Sequence, residues 1–338
     1  MKNKSKKNKE YRGVWHIVAL LPLLFLLVAC STSNGPKGDP VTLHRFEQVL
    51  FDTPAADLGE RLGAERQTYD SPLINCEPDN PQYMQMLRAF VGDPMIRYVY
   101  HKTDSLYHDL SWLEADLGNA MAKARALCPE MVYDRYYTLL TADFENYDTR
   151  VFCYNRDLAI SIDRYAVGAM DEMNFFGLPE YLVALCSRDF ILRDCMAAAA
   201  MDHISLPERD LMLLDYIIYS GKILYFLDQV LPETSDEVKL RYTPDQMAWM
   251  RQNVKEVWGW MVQKEMLFST DRLQLRNLTG DAPKTNAFGD GSAPRTGDYI
   301  GWQIVSAYME KNDVSLSELF AETNSQKILE QSGWRPEK

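Results

Sequence analysis

Lys222 sits in the run Tyr219-Ser-Gly-Lys-Ile-Leu-Tyr225, a charged amine among apolar and aromatic neighbours. An ammonium in such surroundings needs a partner or a route to water along its own stem. Asp215, Tyr219, Lys222, Tyr225 and Gln229 recur at helical spacing, so a single helix would carry them all. Two outcomes follow. Asp215, Tyr219, Lys222 and Tyr225 line a polar pocket that takes a ligand, or they form a half-solvated face on which Lys222 reaches solvent. Gly221 beside the lysine costs about 1 kcal/mol relative to alanine inside a helix, and a glycine there lets another backbone approach closely. Asp163 and Arg164 pose the same choice between a site and a satisfied structural pair.

Other reactive patterns are missing. The five histidines are His16, His44, His101, His108 and His203. His101 and His108 share a helical face but lie two turns apart, too far to hold one metal together. No His-Glu-x-x-His, Gly-x-Ser-x-Gly or Gly-x-x-x-x-Gly-Lys-Ser/Thr occurs, so a zinc peptidase, a serine hydrolase and a phosphate loop all lack their signatures. The glycines between 289 and 297 fit no nucleotide fingerprint and read as a structured loop. Trp249, Trp258 and Trp260 form either a sugar platform or part of an amphipathic helix's packed side. The expectation is a chain with no catalytic residue, metal or cofactor.

The leader points to location. Lys2, Lys4, Lys6, Lys7, Lys9 and Arg12 precede an apolar run over 18–29 that closes as Leu27-Val-Ala-Cys30. A basic stretch, a short apolar stretch and small residues before the cut make a secretory signal. Leu-x-Ala-Cys resembles a bacterial lipobox, in which the cysteine sulfur receives a diacylglycerol and the new amino terminus another acyl chain. Residues 1–29 then form a signal peptide, Cys30 is the lipid attachment site, and residues 30–40, rich in turn formers, are a flexible tether. More than one acyl chain gives durable anchoring. Ser31 and Thr32 lack the aspartate associated with inner-membrane retention, which favours the outer membrane. The tether has no acidic run, which favours its periplasmic face.

Formal net charge is −12, and loss of the leader's six basic residues and Glu10 takes it to −17. So acidic a chain repels phosphate backbones, which excludes nucleic acid as a partner, and it repels an anionic bilayer, so the lipid must do the anchoring. With Cys30 acylated, five cysteines remain: Cys76, Cys128, Cys153, Cys186 and Cys195. Their surroundings suit small buried thiols, with Cys186 and Cys195 the one pair close enough in sequence to test for a bridge.

Residues 41–338 read as one helix-rich α+β domain. Helical spacing covers 44–51, 83–90 and a long stretch over 95–128 striped by Leu106, Leu110, Leu113, Leu117 and Met121. Between 131 and 162 short runs rich in β-branched and aromatic residues, separated by Asn146-Tyr-Asp148 and Asn155-Arg-Asp157, predict a small antiparallel sheet. Helices follow over 179–186 and 189–202. Ser205-Leu-Pro-Glu208 and Thr243-Pro-Asp-Gln246 are capping-box patterns opening the next two. Later helices are expected over 299–309 and 325–332.

From about Leu158 the chain resembles the gliding-motility lipoprotein GldB family of Bacteroidetes. The matching stretches include Ile160-Ser-Ile-Asp-Arg-Tyr165, Leu214-Asp-Tyr-Ile-Ile-Tyr-Ser-Gly-Lys-Ile-Leu-Tyr225 and Ala293-Pro-Arg-Thr-Gly-Asp-Tyr-Ile-Gly-Trp302. The resemblance implies an outer-membrane lipoprotein with envelope protein partners and no known catalytic residue. A sheet followed by two helices also resembles a degenerate zincin layout, with Ser220-Gly221 where a glutamate ligand would sit and no histidine pair on the first helix. The alternatives are a metallopeptidase-like enzyme with unusual zinc ligands and a glycan-binding lipoprotein.

Overall fold

The computed structural model describes residues 36–143, 150–170 and 177–336. Four strands, β1 (Leu43–Arg45), β2 (Arg135–Leu139), β3 (Val151–Tyr154) and β4 (Asp157–Ser161), form one sheet in the order β1-β2-β4-β3. Between β1 and β2 come α1 (Phe46–Asp52), α2 (Leu58–Ala64), α3 (Pro81–Gly92), α4 (Pro94–Tyr107) and α5 (Ser111–Leu127). After the sheet come α6 (Glu180–Val183), α7 (Arg188–His203), α8 (Leu213–Val230), α9 (Asp236–Leu240) and α10 (Pro244–Gln263). The chain ends with α11 (Arg272–Thr279), α12 (Thr296–Lys311), α13 (Leu316–Ala321) and α14 (Ser325–Ser332).

The helix-rich α+β class is as the sequence predicts, but the sheet is mixed, not antiparallel. β1 and β4 both run parallel to β2, and only β3 and β4 are antiparallel. The difference has two sources: β2 pairs in parallel with β4, across the intervening β3, and β1 adds a strand from outside 131–162. β1 is three residues long, too short to show alternation, and it leads directly into a helix whose spacing masks it. The β3–β4 hairpin turns at Asn155-Arg156, both at positive φ, as a two-residue hairpin requires. Every residue of β4 is buried between its two neighbours. The Asn146-Tyr-Asp148 turn lies outside the described residues.

The N-terminal segment is pinned to α5. Gly38 donates its N–H to Asn119 Oδ1 at 3.2 Å, Val41 to the Glu114 carbonyl at 3.0 Å, and Leu43 to Glu114 Oε1 at 2.8 Å. A Cβ on Gly38 would collide with the Gly118 carbonyl, so the two backbones touch directly.

The single helix expected over 95–128 is two helices. Arg45 donates to the carbonyls of Tyr107 at 2.8 Å and His108 at 3.0 Å, satisfying the end of α4, and Asp109 accepts the Ser111 N–H at 2.8 Å. Leu106, taken as part of the inner stripe, is 51% exposed as a result. The helix expected from Ser205 begins at Leu213 instead. Ser205 gives its N–H to the Phe320 carbonyl, and Asp215 caps α8 by accepting the Met212 N–H at 2.8 Å. The Thr243 capping box forms as read, with Thr243 and Gln246 exchanging bonds of 2.9 and 3.2 Å.

The buried centre is the crossing of α8 and α12. Gly221 faces Gly301, and a Cβ on either would overlap the other helix's backbone: the Gly301 carbonyl in one case, the Ile217 carbonyl in the other. The mid-helix glycine that weakens α8 on its own therefore permits contact that side chains would prevent. Ile217, Ile218, Phe226, Ile300, Ile304 and Val305 pack around the crossing, all nearly inaccessible. Gly301→Ala should force the helices apart and destabilise the fold by about 3 kcal/mol or more, the upper range for overpacking. Urea unfolding followed by circular dichroism checks this. Gly259→Ala, with nothing near its added Cβ, is the control and should not destabilise.

Candidate functional site

Side chains from several parts of the chain converge on one buried carboxylate. Asp194 lies in α7, in the sequence Leu192-Arg-Asp-Cys195, and is 5% exposed. Three guanidiniums surround it. Arg241 Nη2 donates to Oδ1 at 2.5 Å, Arg193 Nη1 to Oδ1 at 3.1 Å, and Arg150 Nη1 to Oδ2 at 3.3 Å. The Tyr165 hydroxyl adds a bond to Oδ2 at 3.0 Å. Burial alone would raise the Asp194 carboxyl's pKa, but the three positive charges hold it well below the usual carboxylate range. Burial and the neighbouring Arg241 charge lower Arg193 to about 10, and its Nε anchors on the Lys239 carbonyl at 3.0 Å.

Two of the cluster's arginines adopt strained backbones. Arg241, the C-cap of α9, has φ 58°, and Arg295, the N-cap of α12, has φ 44°. The left-handed region costs an L-residue roughly 1–2 kcal/mol, and glycine would occupy it freely. Arg295 reaches back to the Leu240 and Arg241 carbonyls and lies 3.3 Å from Asp281. Asp281 also sits 3.9 Å from Arg241. The loop before α12 is held by Thr285 and Ser292, which bond across it at 3.0 and 3.2 Å. The glycine-rich stretch over 289–297 is thus a structured loop, and it delivers Arg295.

These side chains line a cavity of about 310 Å³, with Arg150, Lys239, Tyr219, Ser220 and Asp298 also on its wall. Burial raises the Asp298 carboxyl to about 6, with the Arg295 charge and Ser220 pulling it down and Asp281 pushing it up. Asp194 is too acidic and too tightly paired for proton transfer, so Asp298 is the cavity carboxyl that can change charge near neutrality. A divalent cation is disfavoured here, because five basic side chains line the wall against two carboxylates. Among the described residues no cluster of three His, Cys, Asp or Glu could hold a metal ion.

The four residues singled out on α8 do not share this cavity. Tyr219 lines it. Asp215 is buried and occupied at the start of α8, held by Arg209 through two bonds of 2.7 and 2.9 Å. Lys222 is 3% exposed and donates to the Glu322 carbonyl at 2.6 Å, with burial lowering its pKa to about 8. Asp215, Tyr219 and Lys222 border a crevice of about 10 Å³, scarcely room for one water, and Tyr225 lies outside it. Asp163 organises a turn by accepting from Ala142 N at 2.9 Å and Ser161 Oγ at 2.8 Å. Trp249 and Trp260 both pack on Phe288, and Trp258 stands edge-on to Trp334. Cys186 and Cys195 are both free and buried.

The sequence reading passed over Asp194 and its arginines. A signal was present: Arg193-Asp194 is a charged pair inside the otherwise apolar stretch from Phe190 to Met201.

The model of the family described as gliding motility protein GldB matches residues 33–336. This chain belongs to the GldB family. The match reaches well beyond the C-terminal half that the quoted motifs cover, and it includes β1, the sheet and every residue of the cavity. No curated protein and no solved structure matches the GldB-family chain.

Asp194→Asn should cost about 3–5 kcal/mol, because three guanidiniums lose the charge that justifies their burial. Asp298→Asn should act in the opposite direction, and its effect depends on pH. The unfolded chain loses the Asp298 proton near its ordinary value of 3.8, whereas the native state keeps it to about 6. Stability from this group therefore falls as pH rises from 4 to 6 and stays lower above that. The variant should gain about 3 kcal/mol over the parent at pH 7 and almost nothing at pH 3.5, read by urea unfolding at each pH.

Proposed function

We propose that this GldB-family lipoprotein is anchored in the outer membrane through acyl chains on Cys30 and acts as a non-enzymatic interaction component of envelope machinery related to gliding. One observation carries the reading: a lipobox cysteine stands eight residues before a backbone pinned to the folded body. Gly38 is already hydrogen-bonded to α5, so seven residues, 31–37, separate the proposed lipid site from the anchored backbone. At roughly 3.5 Å per extended residue that gap is at most about 28 Å. So short a connection favours membrane-embedded partners over distant soluble ones.

The cavity's chemistry supports an interaction role over a catalytic one. Its strongest acid is locked by three arginines, and its positive surplus disfavours the dication a peptidase would need. Periplasmic-face location rests on the absence of acidic residues among 31–34.

Metabolic labelling with an alkyne palmitate, followed by membrane fractionation, tests the anchor. The parent should be labelled and sediment with outer membranes. Cys30→Ser should lose label and accumulate as the uncleaved form. Label retained in Cys30→Ser would overturn the proposal, as would turnover of a peptide substrate by the purified chain with bound zinc.

A further inference from the structure

The cavity between α7, α8 and α9 carries more positive charge than its own neighbours cancel. Arg150, Arg193, Lys239, Arg241 and Arg295 line it against Asp194 and Asp298. Outside its lining, Asp228 lies 2.8 Å from Lys239 and Asp281 lies 3.3 Å from Arg295. Five cations thus meet four carboxylates, which leaves one positive charge in a partly enclosed space. Arg150, Arg241 and Arg295 each also keep a buried Nε–H with no hydrogen-bond acceptor among the described residues, and the Asp298 Oδ1 likewise has no donor. A buried donor left unpaired costs about 1–3 kcal/mol, and here three such donors outnumber the one unpaired acceptor among the residues that line one cavity.

Beside these charges and the polar Tyr219 and Ser220, the wall carries an apolar patch formed by Ala197, Ala198, Ile223 and Leu224, with Met201 half exposed. About 310 Å³ is the lower end of small-molecule sites. We propose that this cavity binds a carboxylate carried on a short apolar body, the acid group taken by the guanidiniums that line it and the body by the alanine and leucine wall. A single surplus charge matches a carboxylate better than a doubly charged phosphate. Guanidinium groups are well suited to it, since their planar forks match a carboxylate's two oxygens. The two left-handed arginines fit the same reading, because strain of that kind is retained where a side chain must be placed at one point.

A carboxylate on an apolar body has two sources, a peptide C-terminus and a free aliphatic acid. N-acetyl-leucine represents the first and octanoate the second. Binding is measured by calorimetry on the full chain in a neutral detergent, with N-acetyl-leucine amide, methyl octanoate and inorganic phosphate as comparisons. At least one of the two acids should bind, and its neutral counterpart should bind at least about tenfold more weakly. Whichever acid binds more tightly identifies the source. Ala198→Glu and Met201→Glu each place a competing carboxylate at the wall, and both should abolish binding while melting as the parent does. Met201 is already exposed, so its variant is expected to fold even if the other does not. The proposal is overturned if neither acid binds, if the neutral compounds or phosphate bind as well as the acids, or if a folded glutamate variant still binds the acid with parental affinity.

Discussion

The attraction between Asp194 and three guanidiniums is the constraint on which the rest of the architecture depends. Each ion is expensive to bury, and a carboxylate removed from water loses several kcal/mol of hydration. The loss is offset only when all its partners arrive together. Arg150 comes from the residue just before β3, Arg193 from α7 itself and Arg241 from the cap of α9. A chain with the helices formed but α9 misplaced would strand a charge. Removing or misplacing any one partner leaves an uncompensated buried charge, so the cluster penalises arrangements of sheet and helices in which the four groups do not meet.

A second constraint acts through the absence of side chains. Gly221 and Gly301 let α8 and α12 touch at the backbone, and Gly297 extends the same face one turn earlier, where a Cβ would meet Ile217. Spacing by four residues keeps these glycines in line along α12. The close approach fixes the N-terminal end of α12 against α8, and that end carries Arg295 and Asp298 into the cavity. Core packing and charge placement are thus one geometric problem here. Widening the crossing would withdraw both side chains from the site.

Much of this was legible in the sequence wherever a local rule governed the outcome. The Thr243 capping box and the final helix over 325–332 rest on local hydrogen bonds and spacing, and they form where read. The mid-helix glycine announced a close backbone contact, and one exists. The rest depended on partners distant in sequence. Arg45 ends α4 from 62 residues away, which no spacing within 95–128 could reveal. Phe320 takes the Ser205 N–H, so a good capping pattern does not start a helix. The cavity was hidden for the same reason. Its arginines lie at 150, 193, 241 and 295, in four separate stretches, and only the one at 193 stands out locally, beside Asp194 in an apolar run.

The charge distribution also bears on how a ligand would be chosen. The chain is acidic overall, at −12 with its leader, while the cavity is positive. A negative exterior slows the approach of any anion and does not guide it. Small inorganic anions therefore gain nothing by steering, and only those that bury apolar surface as well recover the cost of entry. Hydrophobic contact at about 25 cal/mol per Å² supplies that gain for a compact aliphatic body and none for phosphate. Selectivity then rests on the combination of one buried positive surplus and an alanine-lined wall, so neither removing the charge from the ligand nor removing its apolar part should leave binding intact.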